Sequence, residues 1–163
     1  MNIFLVPASL ENLRRTINQA VSVKEVQHIL KNDQLQEIQK ALNGRNTFNC
    51  WAMTENSRTL YMTMEPGDII LMSGKRSGLF NYFARVLLKI ENEPLGRHLW
   101  SYQPNLPWKL IYFLEDLKEV NDLKKSELLQ KIGYSEKDNL QKLRMLKGTH
   151  LKRFHEFYSS IFS

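Results

Sequence analysis

The chain has 163 residues, 42% hydrophobic and 25% charged, which fits a single folded domain and excludes disorder along its whole length. Lys and Arg outnumber Asp and Glu by 23 to 17, a net charge of +6 that suits a polyanion or an anionic surface. The single cysteine, Cys50, excludes an internal disulfide and a cysteine-based zinc site, and the four histidines form no HExxH pair, so no metal or cofactor is expected.

Ile3 to Val6 reads as a short strand ended by Pro7. No basic stretch precedes this apolar run and Glu11 follows it, so it does not read as a signal peptide. No run is long enough to span a bilayer, and a cytoplasmic protein with no membrane partner is expected. Ser9 can cap a helix carrying Leu10, Leu13, Ile17 and Ala20. Ser22 and Glu25 fit a capping box for a second helix lined by Val23, Val26, Ile29 and Leu30. Asp33 can cap a third, with Leu35, Ile38 and Leu42 inward and Gly44 at its end.

From Arg45 the pattern changes to strands. Thr47 to Met53 ends in aromatic and sulfur residues, and Leu60 to Met64 follows. Glu65-Pro66-Gly67-Asp68 makes a tight turn, and Ile69 to Met72 is a buried strand. Ser73 to Gly78 is a polar loop. Leu79 to Ile90 is a strand pair or one long bent strand. Pro94 to Leu99 is a short helix or turn, and Trp100 to Trp108 is a proline-broken aromatic loop. Leu110 to Leu114 and Glu119-Val120 add strands. Such a run of strands argues for an antiparallel sheet or small barrel. A helix near Ser126 closes at Gly133, and one or two basic helices follow, the last with Leu151, Phe154, Phe157, Tyr158 and Ile161. The expected organisation is a single domain over 1–163: strand and helices in 1–44, a β-barrel core in 45–121, basic helices in 122–163.

No catalytic set emerges. There is no GxSxG and no phosphate-binding GxxxxGK[ST], and Cys50 has no partner marking a cysteine enzyme. The aromatics offer more. Trp51 leaves a strand among polar residues, and Trp100 and Tyr102 lie in the proline-rich loop. Each ring is either a core plug or a platform for a nucleobase. Trp108, between Pro107 and a strand, reads as a core plug. Two tryptophans from separate segments can sandwich a flipped base, with Asn49 or Ser73 reading its edge. Among the cations, Arg45, Lys75, Arg76, Arg97, Lys152 and Arg153 are the candidates to hold phosphate. Lys75-Arg76 stands out because a flexible loop tip is a poor place for a structural charge.

Phe48-Asn49-Cys50-Trp51-Ala52-Met53, then Met64-Glu65-Pro66-Gly67-Asp68-Ile69-Ile70, then Phe83-Ala84-Arg85-Val86, His98-Leu99-Trp100 and Pro107-Trp108-Lys109-Leu110-Ile111-Tyr112 occur in an order that resembles the EVE and YTH group of the PUA-like superfamily. The resemblance is nearest to N-terminal domains of McrB-type modification-dependent restriction proteins and covers roughly 45–134. It implies an α+β fold, a small twisted β-barrel flanked by helices. It implies a non-catalytic reader of methylated DNA that flips a base, 6-methyladenine by analogy with YTH domains, into an aromatic cage. Trp51 matches the first cage wall, Trp100 stands for the second and Tyr102 for a third contact, with Asn49 and Cys50 where such domains read the base. In a full-length protein it implies a GTP-hydrolysing AAA+ motor and a separate nuclease subunit as partners. Ala84 departs from the glycine usual in the central strand. A PUA-like RNA-binding module and a small ASCH-type nucleoside hydrolase are the alternatives.

Overall fold

The computed structural model describes residues 1–103 and 107–162. In chain order the elements are β1 (Ile3–Ala8), α1 (Leu10–Thr16), β2 (Val21–Ser22), α2 (Val23–Val26), α3 (Asn32–Leu42), β3 (Thr47–Met53), α4 (Arg58–Thr63), β4 (Ile69–Gly74), β5 (Leu79–Glu91), α5 (Glu93–Leu99), β6 (Leu110–Lys124), α6 (Lys125–Lys131), β7 (Arg144–Met145) and α7 (Gly148–Tyr158). Short 3-10 turns precede α4 and follow α7. The strands form one twisted sheet in the order β2-β3-β6-β5-β4-β1-β7, with an open rather than a ring-closed ladder. Among the described residues only β1 and β4 pair in parallel. The mixed α+β fold agrees with the expected class. Its strands are drawn from all three stretches of the chain, since β1 and β2 come from the first 44 residues and β7 from the last 42.

Several local expectations change. Pro7 does not end β1; it stays in register with Ser73. β7 pairs only with Phe4 and Leu5, so β1 is an open edge at Pro7 and the missing N–H breaks no ladder on that side. Ser22 makes no side-chain cap, because its backbone pairs with Thr47 in β2. The third helix starts after Lys31 rather than at Asp33, with Gln34 Oε1 accepting from the Lys31 N–H at 3.2 Å. Residues 60–63 are helical. That turn of α4 lets the Tyr61 hydroxyl donate to the carbonyls of Ile90 and Ile111, at 2.9 and 3.1 Å, tying β5 to β6. Leu110–Leu114 and Glu119-Val120 belong to one strand, bent at Asp116, whose φ is 54°.

Side-chain alternation sorts the core. On one face Phe4, Val6, Trp51, Ile70, Met72, Ala84, Val86, Leu110 and Tyr112 form a continuous cluster. Residues of β1 and β3 share it although three strands separate them, so the sheet curls around this face. The outer face carries two clusters. One lies under α2, α3 and α5, around Cys50, Ile90 and Phe113. The other lies under α6 and α7, around Leu5, Leu71, Phe83 and Phe154. A register break between Val86 and Leu88 moves β5 from the inner cluster to the outer one. Among the described residues no helix is long and apolar enough to cross a membrane.

Candidate nucleic-acid interface

The inner face opens where the ends of β1 and β3 meet. β3 and β6 pair antiparallel with Trp51 opposite Tyr112, so both rings point to the same side. They border a cavity of about 660 Å³ whose other walls are Val6, Pro7, Met53, Trp108 and the segment 141–143. That is within the size range of sites that hold a small organic group. Its rim is polar: Ser9, Asn12, Thr54, Asn56, Ser57, Gln103, Lys75 and Lys142. Among the described residues no Asp or Glu lines it.

Local structure explains each wall. Ser9 caps α1 by accepting from the Asn12 N–H at 3.2 Å, which sets Asn12 at the cavity edge. Lys75 is held there because its own N–H donates to the Ala8 carbonyl at 2.9 Å, at the end of the parallel β1–β4 pair. Trp108 donates its indole N–H to Gln103 Oε1 at 2.9 Å. Segment 141–143 is anchored by Asp138, which accepts from the Leu140 N–H at 3.0 Å and takes a two-pronged ion pair from Arg144 at 2.8 and 3.1 Å. The Arg144 guanidinium beside it holds the Asp138 carboxyl below its usual range. Tyr112 is fully buried, and burial pushes its phenol well up, so it stays a proton donor.

The three tryptophans make a chain rather than a sandwich of Trp51 with Trp100. Trp100 meets Trp51 edge-on at 6.4 Å and Trp108 at 6.5 Å. It is 2% exposed and stands behind the cavity wall, while Trp51 and Trp108 line it. The cage assignment of Trp100 is therefore corrected. Trp100 plugs the core between two wall residues, and Trp108, read from sequence as the plug, faces the cavity. Tyr102 lies outside the lining. Its hydroxyl donates to Asn12 Oδ1 and Arg15 stacks over its ring at 4.6 Å, so it braces the rim.

Three further assignments move. Cys50 neighbours Trp51 on the strand and so points to the opposite face, fully buried, with burial raising its thiol pKa. Asn49 spends its amide N–H on the carbonyls of Thr16 and Ile17, at 3.0 and 3.4 Å, closing the end of α1. Ser73 is buried and donates to the Leu79 carbonyl at 2.7 Å. None of the three lines the cavity.

Of the six cations expected to hold phosphate, Lys75 alone lines the cavity. Arg76 follows it on the same exposed loop, at φ 68°. Arg45 donates to the Leu42 carbonyl at the far end of β3, and Arg97 pairs with Glu93 on α5 at 3.7 Å. Lys152 and Arg153 sit exposed on α7, which covers the outer face. The sequence reading of the site missed Lys142, Gln103 and Tyr112. A tyrosine inside the apolar run 110–114 was the one available signal, because a buried phenol needs a reason to be there.

No protein-family profile matches the sequence, and no curated protein matches it. Among solved structures, the N-terminal domain of Thermococcus gammatolerans McrB, solved bound to m5C DNA, is similar over 100% of both chains, with a TM-score of 0.70 and 14% identity. The likeness is one of fold.

Proposed function

We propose that this chain is a non-catalytic DNA-binding domain that reads a methylated base, taken out of the duplex into the cavity between Trp51 and Trp108. The observation that carries the reading is the cavity itself: two tryptophans and a tyrosine on its wall, lysines on its rim and, among the described residues, no carboxylate, in a fold shared along its whole length with a domain solved on methylated DNA. Extruding a base costs a few kcal/mol, and each aromatic face it stacks on returns about 1–3 kcal/mol. A methyl group adds apolar area for those rings to cover. Lys75 and Lys142 at the mouth suit the phosphates on either side of the extruded nucleotide.

Among the described residues the lining offers no histidine and no carboxylate to serve as a general base, which supports reading over reaction. A GTP-hydrolysing AAA+ motor and a nuclease subunit are the proposed partners, in keeping with a restriction system. The resemblance suggests 6-methyladenine, and the DNA held by the structural relative suggests 5-methylcytosine. The test is a titration of fluorescent duplexes carrying one 5-methylcytosine, one 6-methyladenine or no methyl group, with matched RNA alongside. Methylated DNA binding at least about tenfold tighter than plain DNA, a gap of about 1.4 kcal/mol, is expected. Equal affinity for plain and methylated duplexes overturns the reading, as does tighter binding of RNA.

A further inference from the structure

Asn12 is 7% exposed, lies in the first turn of α1 and lines the cavity. The two ends of its amide differ. The oxygen accepts from the Tyr102 hydroxyl, and Tyr102 lies outside the lining. The nitrogen has no hydrogen-bond partner among the described residues. It is also not one of the partnerless side-chain atoms sealed from solvent among those residues, which are Thr16 Oγ1, Trp100 Nε1 and the Tyr112 hydroxyl oxygen. A buried amide with an unspent nitrogen still open to solvent, on a cavity wall, presents its N–H donors to that cavity.

An amide keeps its shape when oxygen and nitrogen are exchanged, so its hydrogen bonds decide which atom faces inward. Here Tyr102 decides. A phenol can donate or accept. The Arg15 guanidinium lies 4.6 Å from the centre of the Tyr102 ring and is held there by Glu11, at 3.1 Å. A cation over the ring draws electron density from the phenol oxygen and favours donating. The hydroxyl therefore claims the Asn12 oxygen and leaves the nitrogen for the cavity. The backbone is fixed as well, because Ser9 accepts from the Asn12 N–H at 3.2 Å.

Resting on the proposed reading of the cavity, we infer that Tyr102 is a positioning residue for base recognition: it sets the Asn12 amide so that its N–H donors meet an acceptor atom on the edge of the extruded base. Tyr102 acts only through Asn12. The aromatic wall holds the base by its faces, and the amide tests its edge.

Tyr102→Phe keeps the ring under Arg15 and removes only the hydroxyl. Asn12→Ala removes the amide, and Asn12→Asp keeps an acceptor for Tyr102 while replacing the donors with an oxygen. These variants, and the double variant of Tyr102→Phe with Asn12→Ala, are titrated with duplexes bearing one 5-methylcytosine, one 6-methyladenine or no methyl group. For the methylated duplex that the wild type prefers, the Asn12 variants should lose about 3- to 10-fold and Tyr102→Phe about 2- to 5-fold. Plain duplex should bind Asn12→Ala and Tyr102→Phe as it binds the wild type. The double variant should match Asn12→Ala alone, because the hydroxyl has no other route to the base. A purely structural Tyr102 would weaken the double variant further. That additive loss, or wild-type binding by any of the three single variants, overturns the inference and leaves the general reading standing. Methylated duplexes that bind the wild type no better than plain DNA overturn both.

Discussion

Gly96 lies directly against the backbone of Trp108: a Cβ at this position would stand 2.7 Å from the Trp108 carbonyl carbon and closer still to its oxygen. Helix α5 and the cavity wall therefore touch backbone to backbone. Gly96→Ala should push Trp108 out of place. Overpacking of this kind costs about 1–3 kcal/mol. The expected result is a lower melting temperature together with weakened binding of methylated duplex. Wild-type values for both would show that the contact yields without strain.

Trp100 and Trp108 should separate stability from binding. Trp100 is a core ring, and its replacement by alanine should cost about 3–5 kcal/mol. Trp108→Ala, at a half-buried site, should cost less stability and remove most of the preference for methylated over plain DNA. Urea denaturation and duplex titration of the two variants provide the comparison. A Trp108→Ala protein that keeps its preference would return Trp108 to a packing role.

The rim lysines should act without regard to base. Lys75→Ala and Lys142→Ala should each weaken methylated and plain duplexes alike and lower the salt dependence of binding by about one unit of slope. Arg45→Ala, remote from the cavity at the other end of β3, should leave that slope unchanged. Measuring affinity across salt concentrations distinguishes these outcomes. A loss confined to methylated DNA would mean that the lysines touch the base.

Acid should loosen one wall. The Asp138 carboxyl is held low first by its hydrogen bond from Arg144, so its folded pKa lies below its unfolded one. The stability it contributes is present above the ordinary carboxylate range and is lost as pH falls from about 4 through the depressed folded value. The pair is partly exposed, so the effect is small and local. Affinity for methylated duplex should fall below that pH, and Asp138→Asn should show the weakened affinity already at neutral pH. Identical pH profiles for variant and wild type would exclude Asp138 as the anchor.

Sequence reasoning went furthest where local chemistry decides. Trp51 was recognisable as an aromatic leaving a strand, and the Pro66-Gly67-Asp68 turn and Ile69–Met72 strand fall where their residues dictate. Alternation along β3 could have separated Cys50 from Trp51, since neighbours on a strand face opposite sides. The flanks of Trp108, Pro107 and a strand, suggest a core plug, yet the packing of α5 against residue 108 leaves Trp108 on the cavity and Trp100 in the core. In sequence Lys142 is one of several C-terminal cations. Its place on the rim depends on the β1–β7 pairing at Phe4 and Leu5, a contact across most of the chain that no local pattern announces.

The two-residue strand β7 has a further consequence. By pairing with β1 it brings residues 141–143 against Val6 and Pro7, so the earliest and latest parts of the sheet complete the cavity together. During synthesis the pocket cannot exist until the ribosome has released the chain beyond residue 145. The wall formed by 141–143 is therefore the last to be added, after every other strand of the sheet has been made.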